Sequence, residues 1–164
     1  MTFSAESSIL INVDRNTISS PIEQGRTDGV GEPWAIMRHG KPLDDRQQTL
    51  LDQLPEYDSR VEVDKSGVSM MDLAALTAKT DVEYAMFTLG DKCLIVRGNE
   101  TKVNIDKIDA VKMNAQGYEW TGHTHVGRNL IPSVGDKDVL NAFRHNSSTI
   151  YNSYGECFDF YKDV

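Results

Sequence analysis

Two residue pairs constrain the fold of this chain more than any other feature of its sequence, because one pair has the spacing of a β-strand face and the other has the spacing of a helix cap. His123 and His125 are two positions apart, and side chains at that spacing point to the same face of a β-strand. Ser133 and Asp136 are three positions apart, which is the spacing of a helix capping box. The sequence therefore predicts a strand that carries both histidines, a loop, and a helix that begins close to the Ser-x-x-Asp group.

The rest of the ordered sequence is predicted to interleave helices with short strands. Apolar residues recur at helical spacing behind capping residues such as Asp44 and Ser69, whereas short β-prone runs flank turn residues such as Gly90. We predict helices over Asp44–Leu54, Ser69–Lys79, Asp106–Gln116 and Asp136–Phe143, and strands over Arg60–Val63, Glu83–Leu89, Cys93–Arg97, Lys102–Ile105, Tyr118–His125, Ser148–Tyr154 and Cys157–Tyr161. This order predicts an α/β fold of the α+β type, in which a mixed β-sheet is flanked by helices.

The first part of the chain has a different composition from the rest. Residues 16–33 are rich in Ser, Gly and Pro, which favours irregular chain over packed structure. We interpret residues 1–33 as an N-terminal arm or linker and residues 34–164 as one folded domain. Such a linker would suit a domain that belongs to a larger parent protein.

Composition excludes some classes of partner. The formal net charge of −8 argues against nucleic acid, because phosphate binding needs clustered Lys and Arg. No apolar run approaches the length of a membrane span, so no membrane partner is expected. Cys93 and Cys157 are far apart and form neither a metal-binding pair nor a disulfide framework, so two buried thiols in a reducing, cytoplasmic compartment are expected.

The two histidines and Asp136 are candidate ligands of a metal ion. Two imidazoles and one carboxylate suit Zn²⁺ and leave a fourth position for water, as in catalytic zinc sites. Each part also has a simpler interpretation. A His-x-His pair by itself also fits polar strand residues, and Ser133-x-x-Asp136 by itself is more typical of a helix cap. The combination of all four residues favours the zinc site.

The spacing of these residues resembles a known motif. His123-x-His125, seven residues, and then Ser133-x-x-Asp136 is similar to the motif of the JAMM (JAB/MPN-like) metallopeptidases. That family also has a Glu on an earlier strand, and Glu83 occupies the similar place here. The resemblance implies that His123, His125 and Asp136 bind zinc, that Glu83 is the general base, and that Ser133 supports the tetrahedral intermediate.

The resemblance covers approximately residues 69–161 and carries expectations about fold and function. It implies a JAB/MPN-like (cytidine deaminase-like) architecture and hydrolysis of peptide or isopeptide bonds. The substrate would be a protein or a peptide, including a ubiquitin-like tail. Residues 34–161 also resemble a branch of the family found in phage head-associated proteins and bacterial polymorphic toxins. This second resemblance implies that the domain belongs to a larger parent protein, is associated with a virion, or binds an immunity partner. The chain departs from the family at Val126, where Pro is usual, and at Thr124, where Ser is usual.

Several alternatives stay open at the level of sequence. Glu119, four residues before His123, is expected on the same strand face and is a candidate second-shell partner or base, although a solvated strand charge is the simpler interpretation. Asp138 is a second candidate carboxylate ligand, and Arg128 and Asn129 are either substrate contacts or exposed loop residues. The alternative function is a non-catalytic binding or scaffolding module. A zinc deaminase is excluded because its His-x-Glu and Pro-Cys-x-x-Cys motifs are missing.

Overall fold

A computed structural model of the chain describes residues 42–163, so the predicted arm over residues 1–33 and the predicted start of the domain lie outside the described residues. The described part contains four α-helices, one 3₁₀ helix and six strands. The helices are α1 (Asp45–Asp52), α2 (Met70–Thr80), α3 (Lys107–Gln116) and α4 (Val134–Ala142), with the 3₁₀ helix at Lys65–Gly67. The strands are β1 (Arg60–Asp64), β2 (Tyr84–Leu89), β3 (Lys92–Arg97), β4 (Glu119–His125), β5 (Ser147–Asn152) and β6 (Cys157–Tyr161).

Each α-helix begins at a capping box, in which the side chain of the first cap residue and that of the third helical residue bond to each other's backbone. The four N-cap residues are Asp44, Ser69, Asp106 and Ser133. These local signals confirm the four predicted helices. α4 starts two residues earlier than predicted because Ser133 caps it and Asp136 already lies in its first turn.

The six strands form one mixed sheet in the order β1-β3-β2-β4-β5-β6. Every neighbouring pair is antiparallel except β4 and β5, which are parallel because α4 provides the crossover between them. The predicted class, a mixed α+β fold with helices around a mixed sheet, is confirmed. The predicted strand over Lys102–Ile105 is wrong. There the backbone turns sharply, because the Asn99 side chain accepts from the amides of Thr101 and Lys102, and Val103 makes only an isolated bridge.

Two apolar layers cover the two faces of this sheet. Helices α1 and α2 pack on one face, and α3 and α4 pack on the other. Alternate residues of β2 serve the two layers, since Tyr84 and Met86 join the α1/α2 cluster while Ala85 and Phe87 join the α3/α4 cluster. Both cysteines are free and buried, as predicted. Within residues 42–163, no helix combines the length and the apolar character that crossing a membrane requires.

A β-bulge in β4 decides which of its side chains face α3 and α4. Ala85 pairs with His123 and Met86 with Gly122, but Phe87 pairs with Trp120, so β4 holds one extra residue at Thr121. Because of this extra residue, Trp120 and His123 lie on the same face although they are three positions apart. Gly122 is needed beside the bulge, since a Cβ there would lie 2.8 Å from the Thr149 carbonyl oxygen of β5.

Candidate metal centre

The centre begins with the two histidines at the end of β4. Both rings are buried and project on the α3/α4 side of the sheet, as the strand spacing predicted. Their Nε2 atoms lie 3.0 Å apart. Trp120 stacks on the His123 ring at a centroid distance of 5.1 Å, and Phe160 meets the same ring edge-on at 6.1 Å. Aromatic walls therefore fix the His123 imidazole and exclude water from that side.

Asp136 brings a carboxylate to the same point from the first turn of α4. Its Oδ2 lies 3.2 Å from His123 Nε2 and 3.3 Å from His125 Nε2. The same Oδ2 accepts the backbone N–H of Ser133 at 2.9 Å, and the Asp136 backbone N–H donates to Ser133 Oγ at 2.9 Å. The capping box and the cluster of candidate ligands therefore coexist, and the cap holds the carboxylate in place. The two interpretations of Ser133-x-x-Asp136 are not exclusive.

These three atoms have the spacing of a metal site. They form a nearly equilateral triangle with sides of 3.0, 3.2 and 3.3 Å. A tetrahedral zinc ion with metal–ligand bonds near 2.0 Å holds neighbouring ligand atoms roughly 3.3 Å apart. A hydrogen-bonding proton can join only two atoms of such a triangle, whereas a cation at its centre contacts all three. The buried group His123, His125 and Asp136 could therefore hold a metal ion.

The protonation states of the cluster suit metal binding. Burial lowers the pKa of the His123 imidazole and outweighs the attraction of the Asp136 carboxylate, so the ring is neutral near pH 7. Burial alone would raise the pKa of the Asp136 carboxyl. The electrostatic and hydrogen-bond interactions of this carboxylate with the two histidine rings outweigh that effect and hold its pKa well below the ordinary value. A neutral imidazole and a carboxylate are the forms that bind a metal.

Glu83 lies beside this cluster, just before β2. It is two residues before Ala85, which pairs with His123, so it occupies the same face at the level of His125. Its backbone is anchored on both sides, because its N–H donates to the Asn99 carbonyl at 2.8 Å and its carbonyl accepts from Gly98 at 2.7 Å. The side chain is buried, and Oε1 has no hydrogen-bond partner within residues 42–163.

Two effects act on the Glu83 carboxyl. Complete burial raises its pKa well above the ordinary value, and the negative charge of Asp136 raises it further. A carboxyl group with a raised pKa, buried beside candidate metal ligands, has the properties of a general acid or base. The sequence placed Glu83 in the first strand of a hairpin, and the structure places it one residue before that strand.

The Ser133 hydroxyl is also buried next to the ligands. Its Oγ accepts from the Asp136 backbone N–H, which leaves the hydroxyl hydrogen available as a donor. A hydroxyl donor beside a metal centre can stabilise an oxyanion. Direct contacts therefore join four of the residues that the sequence predicted for the site, and the fifth, Glu83, is buried close enough to Asp136 for the two charges to interact; the four are His123, His125, Ser133 and Asp136.

Glu119 does not belong to this cluster, and the prediction that it shares a face with His123 is wrong. The bulge at Thr121 shifts the alternation of β4, so Trp120 takes the buried position and Glu119 points to solvent. Glu119 lines an open cleft at the opposite end of the strand, together with Arg144. Asp138 is half-buried in α4, and the group of potential ligands includes Asp136 but not Asp138.

Sequence reasoning missed a polar group on β5 and the turn that follows it. Asn152 pairs with His125 across the parallel strands, is fully buried, and donates to Glu156 Oε1 at 2.8 Å. Glu156 is fully buried too, and Arg128 Nε lies 3.6 Å from its Oε1. The only local signal was polar residues within a predicted hairpin, and that signal does not distinguish buried from exposed positions.

Comparisons of the chain with protein families, with curated proteins and with solved structures find no match in any of the three.

Proposed function

We propose that this chain is a zinc-dependent hydrolase of peptide or isopeptide bonds, of the JAMM type and with a JAB/MPN-like architecture. The observation that carries the proposal is the triangle of two imidazole nitrogens and one carboxylate oxygen with sides of 3.0–3.3 Å. The buried Glu83 beside it separates the arrangement from a structural zinc site, which has four protein ligands and no acid or base next to them. The order β4, α4, β5 with Glu83 at the neighbouring strand also supports it.

The chemistry of the donor set favours zinc among the metals. Two imidazoles and one carboxylate suit Zn²⁺, whereas Mg²⁺ and Ca²⁺ prefer sites made of oxygen atoms. His123, His125 and Asp136 would hold the ion. When bound, zinc supplies Lewis-acid polarisation of a carbonyl group and lowers the pKa of water to about 7.

The residues of the chain would carry out proton transfer, oxyanion stabilisation and exclusion of water. Glu83 accepts a proton from water as the water oxygen forms a bond to the amide carbon, and it delivers that proton to the amine nitrogen as the C–N bond breaks. Ser133 donates its hydroxyl hydrogen to the oxyanion that develops on the carbonyl. Trp120 and Phe160 pack around His123 and keep water out of that side. The substrate in this proposal is a protein or a peptide.

Metal analysis combined with a cleavage screen tests this function. Protein purified without chelator should contain about one zinc per chain, because the three ligands form a single site. The same preparation should cleave members of a panel of quenched fluorescent peptides and lysine-linked isopeptides, and a chelator should stop the cleavage. Protein with no bound metal and no uptake of added zinc would contradict the proposal.

A further inference from the structure

The loop that follows His125 is fixed against the turn that follows β5. The Gly127 N–H donates to Ser153 Oγ at 2.9 Å, and the Ser153 N–H donates to the Gly127 carbonyl at 2.9 Å. Gly127 has a φ of +76°, a conformation that L side chains rarely adopt. This reciprocal pair holds the loop next to the metal centre in one arrangement.

Asn152 completes this anchoring from inside the protein. Its side-chain nitrogen donates to the Arg128 carbonyl at 3.0 Å and to Glu156 Oε1 at 2.8 Å. Its side-chain oxygen accepts the backbone N–H groups of Tyr154 at 2.9 Å and Glu156 at 3.0 Å. Because Asn152 pairs with His125, these bonds tie the position of Arg128 to the end of β4 that carries the candidate ligands.

The Arg128 guanidinium is held on two sides and open on the others. Its Nε lies 3.6 Å from Glu156 Oε1, and its Cζ lies 4.2 Å from the centre of the Tyr154 ring. Even so, the side chain is 46% exposed, and no hydrogen bond joins the guanidinium to another residue within 42–163. The structure thus orients the group without using its fork of N–H donors.

Arg128 is a positively charged residue close in sequence to the candidate metal ligands. Arg128 is three residues after His125, a distance that extended backbone spans in roughly 10 Å. It is the only Lys or Arg between Gly122 and Asp136, in a chain whose formal net charge is −8. Arg128 forms an ion pair with the buried Glu156, but the closest separation of 3.6 Å is longer than a hydrogen bond, so the pair leaves the guanidinium N–H donors available for another acceptor.

We propose that Arg128 binds a carboxylate of the substrate and makes the site selective for amides that carry a negative charge close to the scissile bond. This inference rests on the proposed hydrolase function and names its substrate class. The planar fork of Arg matches the two oxygens of a carboxylate, and such charge-assisted pairs are stronger than neutral hydrogen bonds. Glu156 and Tyr154 orient the guanidinium, while the carboxylate comes from a free peptide C-terminus or from an acidic side chain.

A binding titration tests the proposal independently of turnover. The probes are N-acetyl-Ala-Ala against its C-terminal carboxamide, and N-acetyl-Ala-Glu-amide against N-acetyl-Ala-Gln-amide. Each is titrated into the full chain, both metal-free and as zinc-loaded Glu83→Gln, while the ¹⁵N resonance of the Arg128 side chain is followed. We expect one carboxylate probe to bind more tightly than its amide partner by about 10- to 100-fold, the range of a hydrogen bond to a charged group. The pair that shows this difference identifies the source of the carboxylate.

Three variants decide whether Arg128 is the cause. Arg128→Gln should remove the discrimination in both metal states, and Arg128→Lys should retain part of it because the charge remains without the fork. Arg144→Gln is the matched control at the opposite end of β4 and should keep the full preference. Equal binding of acid and amide in the wild type overturns the proposal. So does a preference that persists in Arg128→Gln when zinc is bound, since the metal would then hold the carboxylate.

The same probes separate this inference from the proposed function. If the wild type cleaves substrates but shows no preference for the carboxylate probes, the role of Arg128 is contradicted and the hydrolase function is retained. A carboxylate preference that depends on Arg128, without cleavage of any probe or isopeptide, supports the binding site and defeats the hydrolase.

Discussion

The buried polar side chains on the two faces of β4 differ in how fully they are hydrogen-bonded. On the α2 side, Thr124 is fully buried and its hydroxyl is well supplied with partners, accepting the Tyr84 N–H at 2.8 Å and pairing with Thr77 Oγ1 at 2.6 Å. On the α4 side, the residues next to it in the sequence, His123 and His125, meet Asp136 around a common point. Neighbouring residues of one strand therefore meet two different environments. Thr124 has hydrogen-bond partners for its hydroxyl, whereas His123 and His125 converge with a carboxylate.

The difference gives a criterion for separating structural polar groups from candidate functional ones. Buried polar atoms in proteins are almost always hydrogen-bonded, and exceptions need a physical reason. The α2 side obeys this rule. On the α4 side, Glu83 Oε1, Asp136 Oδ1 and His125 Nδ1 have no hydrogen-bond partner within the described residues. These unpaired atoms are consistent with a group that could hold a metal ion.

The largest effect should come from removal of a ligand. His125→Ala deletes one corner of the triangle, so the variant should bind no zinc at micromolar concentration, and its cleavage activity should fall to background. Elemental analysis and the peptide screen on the same sample measure both. Thr124→Val, one residue away on the other face, is the control and should keep its zinc. Loss of zinc from both variants would mean that the fold as a whole, and not the triangle, holds the ion.

A smaller effect is expected when the acid–base group is changed and the ligands are kept. Glu83→Gln preserves shape but cannot accept a proton, so turnover should fall by about 10²- to 10⁴-fold while zinc content stays the same. The matched control is Glu119→Gln, because Glu119 is exposed at the far end of β4. Its activity should equal that of the wild type. An inactive Glu119→Gln together with an active Glu83→Gln would exchange the roles assigned to the two residues.

On the α2 face, a substitution should affect stability and leave the chemistry alone. Thr124→Val removes a buried hydroxyl and leaves the Tyr84 N–H without its side-chain acceptor, which should cost about 1–3 kcal/mol of unfolding free energy. Thr77→Val should cost less, because Thr124 still accepts from Tyr84 in that variant. Denaturant unfolding measures both values. A destabilisation of Thr77→Val that equals or exceeds that of Thr124→Val would show that the hydroxyl pair, and not the backbone contact, is the main contribution.

The smallest effect concerns pH and the metal-free protein. The pKa of Glu83 in the folded state lies above its ordinary value of 4.5, so its stabilising contribution is complete at lower pH and declines as pH rises toward the folded-state pKa. Glu83→Gln does not titrate. The melting temperature of the metal-free variant should therefore rise relative to that of the metal-free wild type as pH increases from about 4.5 to about 8. Glu119→Gln, at an exposed carboxylate, should show no such trend, and a constant difference for Glu83→Gln would place its carboxyl in a solvated environment.

Local signals made most of the elements and the candidate ligands predictable from sequence. Capping residues act within one turn of their own helix, so Asp44, Ser69, Asp106 and Ser133 mark the helix starts without knowledge of the fold. The convergence of His123, His125 and Asp136 was accessible because strand period and cap position are also local.

What the sequence did not reveal depends on pairing between distant segments. The bulge at Thr121 is a property of the register between β2 and β4, and it moved Glu119 from the predicted face to solvent. The strand order and the parallel pairing of β4 with β5 are likewise set by packing. The Asn152 and Glu156 pair was missed for the same reason, since its burial depends on the parallel contact with β4.

The single extra residue in β4 also limits how this sequence can change by insertion and deletion. Trp120 and His123 are three positions apart and lie on one face because the bulge at Thr121 takes one residue out of the alternation. Deletion of Thr121 would leave Trp120 and His123 two positions apart, and strict alternation would then keep both side chains on the same face. Homologous or engineered chains that keep the candidate metal centre should therefore either carry this bulge or be one residue shorter here, because a chain two residues shorter would place the aromatic side chain and the first histidine on opposite faces.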